Sequence, residues 1–317
     1  LLTIYASHQG DRLAHSVGVA MLSLALARRL RPDDIERHRQ LALAGLLHDV
    51  GELYIAPEFL RPDRPLRPET WRHIVSHPVI GYRVLRDMPG AGPLIAEAVL
   101  SHHERLDGFG YPRGIADAEF ALDGQILATS EWLMALIDSG AAPLARAGVV
   151  SKLMPGEFGT PLLEVLKWAG ATDESSAQWM AAQQEPLQDL LPRVQRLAAT
   201  LARFHAQRDW IEAQIASSDK ALSKLLQQGL NRMLRIQASF SSSGLDFDAS
   251  PGRMLEELAA QSNPALHQEV LVLVREFGWR MQELERESLL RAGLLGNASS
   301  TVMRELIERL RGEALPG

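Results

Sequence analysis

The sequence contains no cysteine. That excludes disulfides, thiolate nucleophiles and sulfur-ligated zinc. Any metal held by this chain must sit among imidazole and carboxylate donors, a set suited to iron, manganese or zinc. The absence also fits a reducing cytosol. Long hydrophobic runs are missing as well: the most apolar stretch, 17–27, is too short to cross a bilayer and runs into Arg28-Arg29. There is no cationic excess. A net charge of −6 argues against broad binding to duplex nucleic acid, which needs basic patches. It leaves room for a small anion neutralised locally by metals and a few arginines. Histidine nearly disappears from the later chain, with eight of ten at or before position 103, so a histidine metal site belongs to the first third.

What remains is an ordinary globular composition, 46% hydrophobic and 23% charged over 317 residues, long enough for two cores. Leu1 stands where a methionine would begin a natural chain, so we expect a fragment, with a sensor or receiver domain upstream. Apolar residues recur at helical spacing nearly throughout, with no alternating strand. Residues 11–30 read as a helix buried on most faces and ended by Pro32. Asp33 or Asp34 caps a second helix through Leu41, Leu43, Leu46 and Leu47 into His48-Asp49, with Gly51 closing it. Pro68 opens a third helix ending near His77, where Pro78 starts the next. Residues 93–103 form another apolar helix that carries His102-His103 at its end, 104–114 form a loop, and 122–139 return to helix. Beyond about 170, amphipathic helices dominate at 191–215, 222–236, 254–260 and 267–289. The expected fold is all-α, with a metal-binding helical core over 1–170 and a helical bundle or interaction module over 171–317.

The chemistry concentrates in the string His102-His103-Glu104-Arg105-Leu106-Asp107-Gly108-Phe109-Gly110-Tyr111-Pro112-Arg113-Gly114 and in His48-Asp49 upstream. A His-Asp pair sets a neutral nitrogen ligand beside a carboxylate able to bridge two metals. Paired metals about 3.5–4 Å apart stabilise both sides of an in-line attack on phosphorus. Alone, each element is weak. A lone His-Asp dipeptide is usually surface decoration. Asp11 and His15, spaced i,i+4, could form an exposed ion pair. His77 could simply end a helix, and His102-His103 could face a helix dipole. Together they carry more weight, because His15, His48, Asp49, His77, His102 and His103 each fall at or beside a helix. All-helical metal sites are assembled from facing helices in this way. Gly108, Gly110, Gly114 and Pro112 make a tight loop in any protein, read here as one wall of the site. Tyr111 could stack or hydrogen-bond there, and Arg105 and Arg113 could meet a phosphate or stay solvated.

On these residues the segment from about 10 to 170 resembles the HD-GYP family, a subgroup of the HD phosphohydrolases that hydrolyses cyclic di-GMP. The resemblance is carried by His48-Asp49-Val50-Gly51, His77, His102-His103-Glu104, Asp107-Gly108 and Gly110-Tyr111-Pro112. It implies an HD-type helical core around two or three divalent metals, commonly iron or manganese. It implies His15, His48, Asp49, His77, His102 and His103 as ligands, with Asp49 bridging and Asp49 and His48 at the catalytic centre. Glu131 falls where the family has a late aspartate, and Asp11 where a glutamate often holds a third metal. Substrate contacts are implied around Glu52 and along the loop at Arg105, Gly110, Tyr111, Pro112 and Arg113.

Two departures stand out. Glu52 replaces the lysine that helps hold a substrate phosphate, a charge reversal that could cost on the order of several kcal/mol at a few ångströms. Residues 137–143 lack the family's basic, aromatic stretch, for which Arg146 or Lys152 could substitute. The resemblance implies a cytoplasmic bacterial signalling protein that opens cyclic di-GMP, or a related cyclic dinucleotide, to pGpG or GMP. The departures keep open an alternative, a degenerate sensor or scaffold acting through its C-terminal helices.

In the second half, Leu197, Leu201, Phe204 and Trp210 read as a core stripe, with a dimerising or partner-binding surface within 171–317 as the alternative. His205 and His267 are isolated, and Trp210 and Trp279 are expected in the core.

Overall fold

The computed structural model describes residues 10–60, 68–116, 119–140, 142–153, 156–171, 174, 178, 187–242 and 264–312. Among them the chain is all-α, with no strand and an isolated antiparallel bridge between Asp107 and Ala116. It divides into two compact units, 1–147 with 156–172, and 148–155 with 173–317.

The first unit is built from α1 (Gly10–Leu30), α2 (Ile35–Leu47), α3 (Pro68–Ile74), α4 (His77–Leu85), α5 (Pro93–Leu100) and α6 (Leu122–Asp138). After α7 (Pro143–Leu153), which carries the division between the units, α8 (Thr160–Ala171) returns to the first and packs on α1. α1 lies along α2 and α6, and α5 is enclosed by α2, α4 and α6. Val19, Ala44, Leu47, Val50, Leu85, Val99 and Leu127 fill the space between them. Each of these valine and leucine side chains contributes roughly 1.5–3 kcal/mol when withdrawn from water. By length and apolarity α1 could cross a membrane; here it packs on α2 and α6, burying Val19, Leu26 and Ala27 while Val17 and Met21 stay exposed. Asp34 caps α2 as expected, its Oδ1 accepting from Arg37 N at 3.0 Å.

Two local expectations are corrected, and both matter to the site. Gly51 does not close α2, which ends at Leu47 and gives way to a 3₁₀ turn at Val50–Tyr54. A Cβ on Gly51 would lie 2.0 Å from the His77 carbonyl oxygen and 2.9 Å from Gly81 N. The glycine therefore lets α4 lie backbone to backbone against the turn that follows His48-Asp49. α5 stops at Leu100, so His102-His103 sit on the turn beyond it, not in the helix. Neighbouring residues on a helix do not face the same way; leaving the helix allows both rings to reach one centre.

The second unit contains α9 (Leu187–Ala206), α10 (Arg208–Ser217), α11 (Lys220–Ser242), α12 (Pro264–Leu295) and α13 (Asn297–Arg311). α12 packs on α9, α11 and α13. Leu197, Leu201 and Phe204 are buried, as the stripe predicts, while Trp279 is 44% exposed and not a core residue. Arg232 and Glu283 form a buried ion pair at 2.7 Å between α11 and α12. The helix expected at 254–260 lies outside the described residues, and α13 was not anticipated from the sequence.

Candidate metal centre

Three of the histidine rings are oriented by the same device. His48 Nδ1 lies 2.7 Å from the Gly45 carbonyl, His77 Nδ1 2.7 Å from that of Ile74, and His102 Nδ1 2.5 Å from that of Val99. Each is a contact to the carbonyl three residues earlier, so it is set by local backbone. A carbonyl can only accept, which places a proton on Nδ1 and leaves Nε2 as the free donor atom.

Those Nε2 atoms converge on Asp49. Its Oδ1 lies 3.3 Å from His77 Nε2 and 3.6 Å from His102 Nε2, while its Oδ2 lies 3.3 Å from His48 Nε2. The centre thus has two donor groups, Asp49 with His77, His102 and His103, and His15 with His48 and Glu131. Asp49 faces the first with one oxygen and His48 of the second with the other. His77 Nε2 and His102 Nε2 are 2.9 Å apart. Two lone pairs do not approach this closely without a cation or a proton between them. His48 Nε2 is fully buried and makes no directed hydrogen bond, although Glu131 is 3.1 Å away. The residues therefore fit divalent ions held by nitrogen and oxygen donors, with the second nitrogen of each ring already occupied.

The two groups differ in charge state. Burial lowers the His77 pKa to about 4 against the opposing pull of Asp49, and burial, reinforced by the nearby His102 and His77 rings, lowers that of His103 well below the ordinary value. Both rings are neutral at pH 7. His15 behaves oppositely. Burial lowers its pKa, but Glu131 at 2.9 Å from Nε2 and Asp138 at 2.6 Å from Nδ1 outweigh that and raise it to about 9. His48 is likewise raised, burial being overcome by Asp49 and Glu131. Burial works against ionisation of Asp49 and Glu131, but the facing histidines hold both well below the usual carboxylate range.

The loop after His103 forms a wall. Tyr111 stacks on His103, ring centroids 4.6 Å apart, and meets Trp71 edge-on at 5.5 Å. A Cβ on Gly110 would lie 2.4 Å from Glu104 Cα and from Arg105 N, so only glycine fits there. Glu104, fully buried, accepts from Arg113 N at 2.7 Å and Ile115 N at 3.2 Å. Asp107 Oδ1 accepts from Phe109 N at 3.0 Å. The carboxylates of this motif fold the loop. Pro112 follows Tyr111 through a cis peptide bond.

Beside the donors lies a cavity of about 410 Å³ lined by Arg12, His15, Asp49, Glu52, Glu131 and Asp138. Glu52 is ion-paired with Arg12 of α1. Arg105 and Arg113 are not among the residues lining this cavity. Arg105 is buried, donating to the Glu104 carbonyl at 2.8 Å, with its guanidinium 5.0 Å from the Phe158 ring centroid. Arg113 donates to Glu97 at 2.6 Å and to Ser101 Oγ at 2.7 Å. The fold thus brings His15, His48, Asp49, His77, His102, His103 and Glu131 together, places Glu52 at their edge, and sets Gly110, Tyr111 and Pro112 in the wall. The side chain of Asp11 lies outside the described residues. Arg146 donates to the Leu136 carbonyl at 2.7 Å and Ser139 Oγ at 2.9 Å, and the side chain of Lys152 is not among those described.

Two residues were missed. Asp138 is two helical turns beyond Glu131 on α6, and Arg12 is three residues before His15 on α1; either spacing puts both residues on one face. Those spacings were the available signal.

Residues 12–142 match the HD domain family. A cyclic di-GMP phosphodiesterase of Pseudomonas aeruginosa is 39% identical over 109 residues, covering 34% of this chain and 26% of that protein. The cyclic di-GMP phosphodiesterase of Thermotoga maritima is 33% identical over 124 residues, 39% of this chain and 33% of that one. A 3'3'-cGAMP-specific phosphodiesterase of Vibrio cholerae is 35% identical over 122 residues, 38% and 28% of the two chains. The matched segment therefore spans about a quarter to a third of each relative.

Proposed function

We propose, on the premise that residues 12–142 belong to the HD domain family in its HD-GYP branch, that this chain is a metal-dependent phosphodiesterase opening cyclic di-GMP or a related cyclic dinucleotide to its linear form. The observation that carries the reading is Asp49, whose two oxygens face separate donor groups across 3.3–3.6 Å. Two divalent ions held by those groups would supply Lewis acidity toward a phosphoryl oxygen and lower the pKa of bound water. Iron or manganese suits a donor set of imidazole and carboxylate without sulfur. His77, His102, His103 and Asp49 would hold one ion; His15, His48 and Glu131 would hold the other, with Asp49 shared.

The remaining work belongs to the chain itself. The carbonyls of Gly45, Ile74 and Val99 fix three rings. Tyr111 closes the side of the centre through its stack on His103, and Glu104, Arg105 and Arg113 keep the loop in place. A degenerate scaffold was suggested by Glu52 standing where a cation is wanted. The Arg12 guanidinium against Glu52 offsets that reversal locally, which favours the enzyme. We assign the chemistry to 1–170, read 171–317 as a helical module for self-association or a protein partner, and expect a cytoplasmic protein.

Incubation of anaerobically prepared, iron- or manganese-loaded protein with cyclic di-GMP tests the reading. Linear dinucleotide should form with the intact site and not with Asp49→Ala. A fully metallated protein that yields no product from cyclic di-GMP or 3'3'-cGAMP would sink it.

A further inference from the structure

Four carboxylates line the cavity beside the donor groups, Asp49, Glu52, Glu131 and Asp138, and a phosphodiester is itself an anion. Metal ions would offset Asp49 and Glu131, and Asp138 is engaged by His15 at 2.6 Å. Glu52 remains, only 7% exposed and at the edge of the donor cluster. Its partner is Arg12, the one permanently cationic side chain among the described residues lining the cavity.

A guanidinium carries N–H donors on more than one edge in a rigid fork, and its planar geometry matches two oxygens of a phosphate. The contact to Glu52 runs through Nη1, and the side chain also lines the cavity. The Arg12 side chain is 29% exposed, so it is held on one side and open to the cavity on the other. A cation needed only to neutralise Glu52 could lie anywhere around the carboxylate. This one is on the helix face of His15, three residues away, and so points along the same cavity as the metal donors.

We propose that Arg12 is the phosphate-binding residue of this site and that Glu52 is its positioning residue. The pair would hold a non-bridging oxygen of the scissile phosphodiester over Asp49. The inference deepens the phosphodiesterase reading and rests on it for the identity of the substrate, but not for the anion chemistry. It also makes the acid at position 52 a working part of the site.

The test uses the full chain loaded with manganese, in wild-type form and as Arg12→Ala, Arg12→Lys, Glu52→Gln and the double variant Arg12→Ala/Glu52→Gln. Calorimetry reads binding of inorganic phosphate, kinetics reads hydrolysis of bis(p-nitrophenyl) phosphate, and metal content is measured on every sample. Arg12→Ala should weaken phosphate binding and raise KM by about tenfold, the scale of a lost charge-assisted hydrogen bond, with manganese retained. Arg12→Lys should fall between. The double variant should stay as weak as Arg12→Ala, because the lost group is a ligand contact.

If the double variant returns to wild-type affinity, Arg12 merely neutralised Glu52 and the proposal is overturned. Unchanged affinity in Arg12→Ala, loss of manganese from it, or absence of phosphate binding by the wild type overturns it equally. Turnover of cyclic di-GMP by the wild type is scored separately. An Arg12 effect on phosphate without that turnover removes the substrate reading and keeps Arg12; turnover without the effect does the reverse.

Discussion

His77 and His102 present their Nε2 atoms to each other across 2.9 Å while the Nδ1 of each ring is held at a backbone carbonyl. Neither ring can turn away without abandoning that carbonyl. The repulsion between the nitrogens is therefore built in, and an ion between them relieves it.

Removing metal should consequently destabilise the first unit. At an ion concentration of about one hundred times Kd, binding adds roughly 2.7 kcal/mol to the folded state. Melting curves with and without a chelator should show a drop in Tm that added manganese reverses. Asp49→Ala should be nearly insensitive to the chelator. An intact protein with the same Tm in both conditions would count against a metal centre here.

The two donor groups should load with different pH dependence. His77, with a pKa lowered to about 4, and His103 are neutral at pH 7, so an ion entering that group need not displace a second ring proton from either. His15, raised to about 9, and His48, also raised, are protonated in the metal-free protein. An ion entering there must release those protons, so its affinity should rise with pH through about 9, the pKa of His15. Calorimetry in buffers of different ionisation enthalpy should resolve one step that releases fewer protons and one that releases more. Asp138→Asn, which takes a carboxylate from His15, should weaken the pH dependence of the second step. Equal proton release in both steps would contradict this assignment.

Gly51→Ala should cost about 1–3 kcal/mol, the usual range for forcing a side chain into a filled space. The added Cβ would lie 2.0 Å from the His77 carbonyl oxygen, and α4 would have to move with its histidine. Lower Tm and lower metal occupancy should appear together. Lower Tm with full occupancy would show that His77 does not depend on this contact.

Glu104→Ala leaves the amides of Arg113 and Ile115, whose hydrogen bonds are part-buried, without their acceptor, a cost on the order of 1 kcal/mol for each hydrogen bond lost. Hydrogen exchange over 105–115 should quicken and KM for a phosphodiester should rise, since Tyr111 loses its support. Exchange rates matching the wild type would mean the loop is held by something other than this carboxylate.

The sequence carried the local half of this account. Helical periodicity placed α1, α2, α5 and α6 within a few residues, because burying a helix face imposes its spacing on the chain. Residue chemistry named the donor atoms, since without cysteine only imidazoles and carboxylates could serve. Local rules failed at Gly51 and at the end of α5. A glycine after a helix usually ends it, but here it makes way for α4, packed from 26 residues further along.

The amino-acid sequence by itself determined that the protein is helical, that its donors are nitrogen and oxygen, and that they cluster early in the chain. Tertiary structure alone decided that the two oxygens of Asp49 face different donor groups, that Asp138 reaches back to His15, and that Arg12 meets Glu52. The reason is physical. Periodicity fixes which face of a helix is buried, whereas pairs such as His15 and Asp138, 123 residues apart, depend on how whole helices cross.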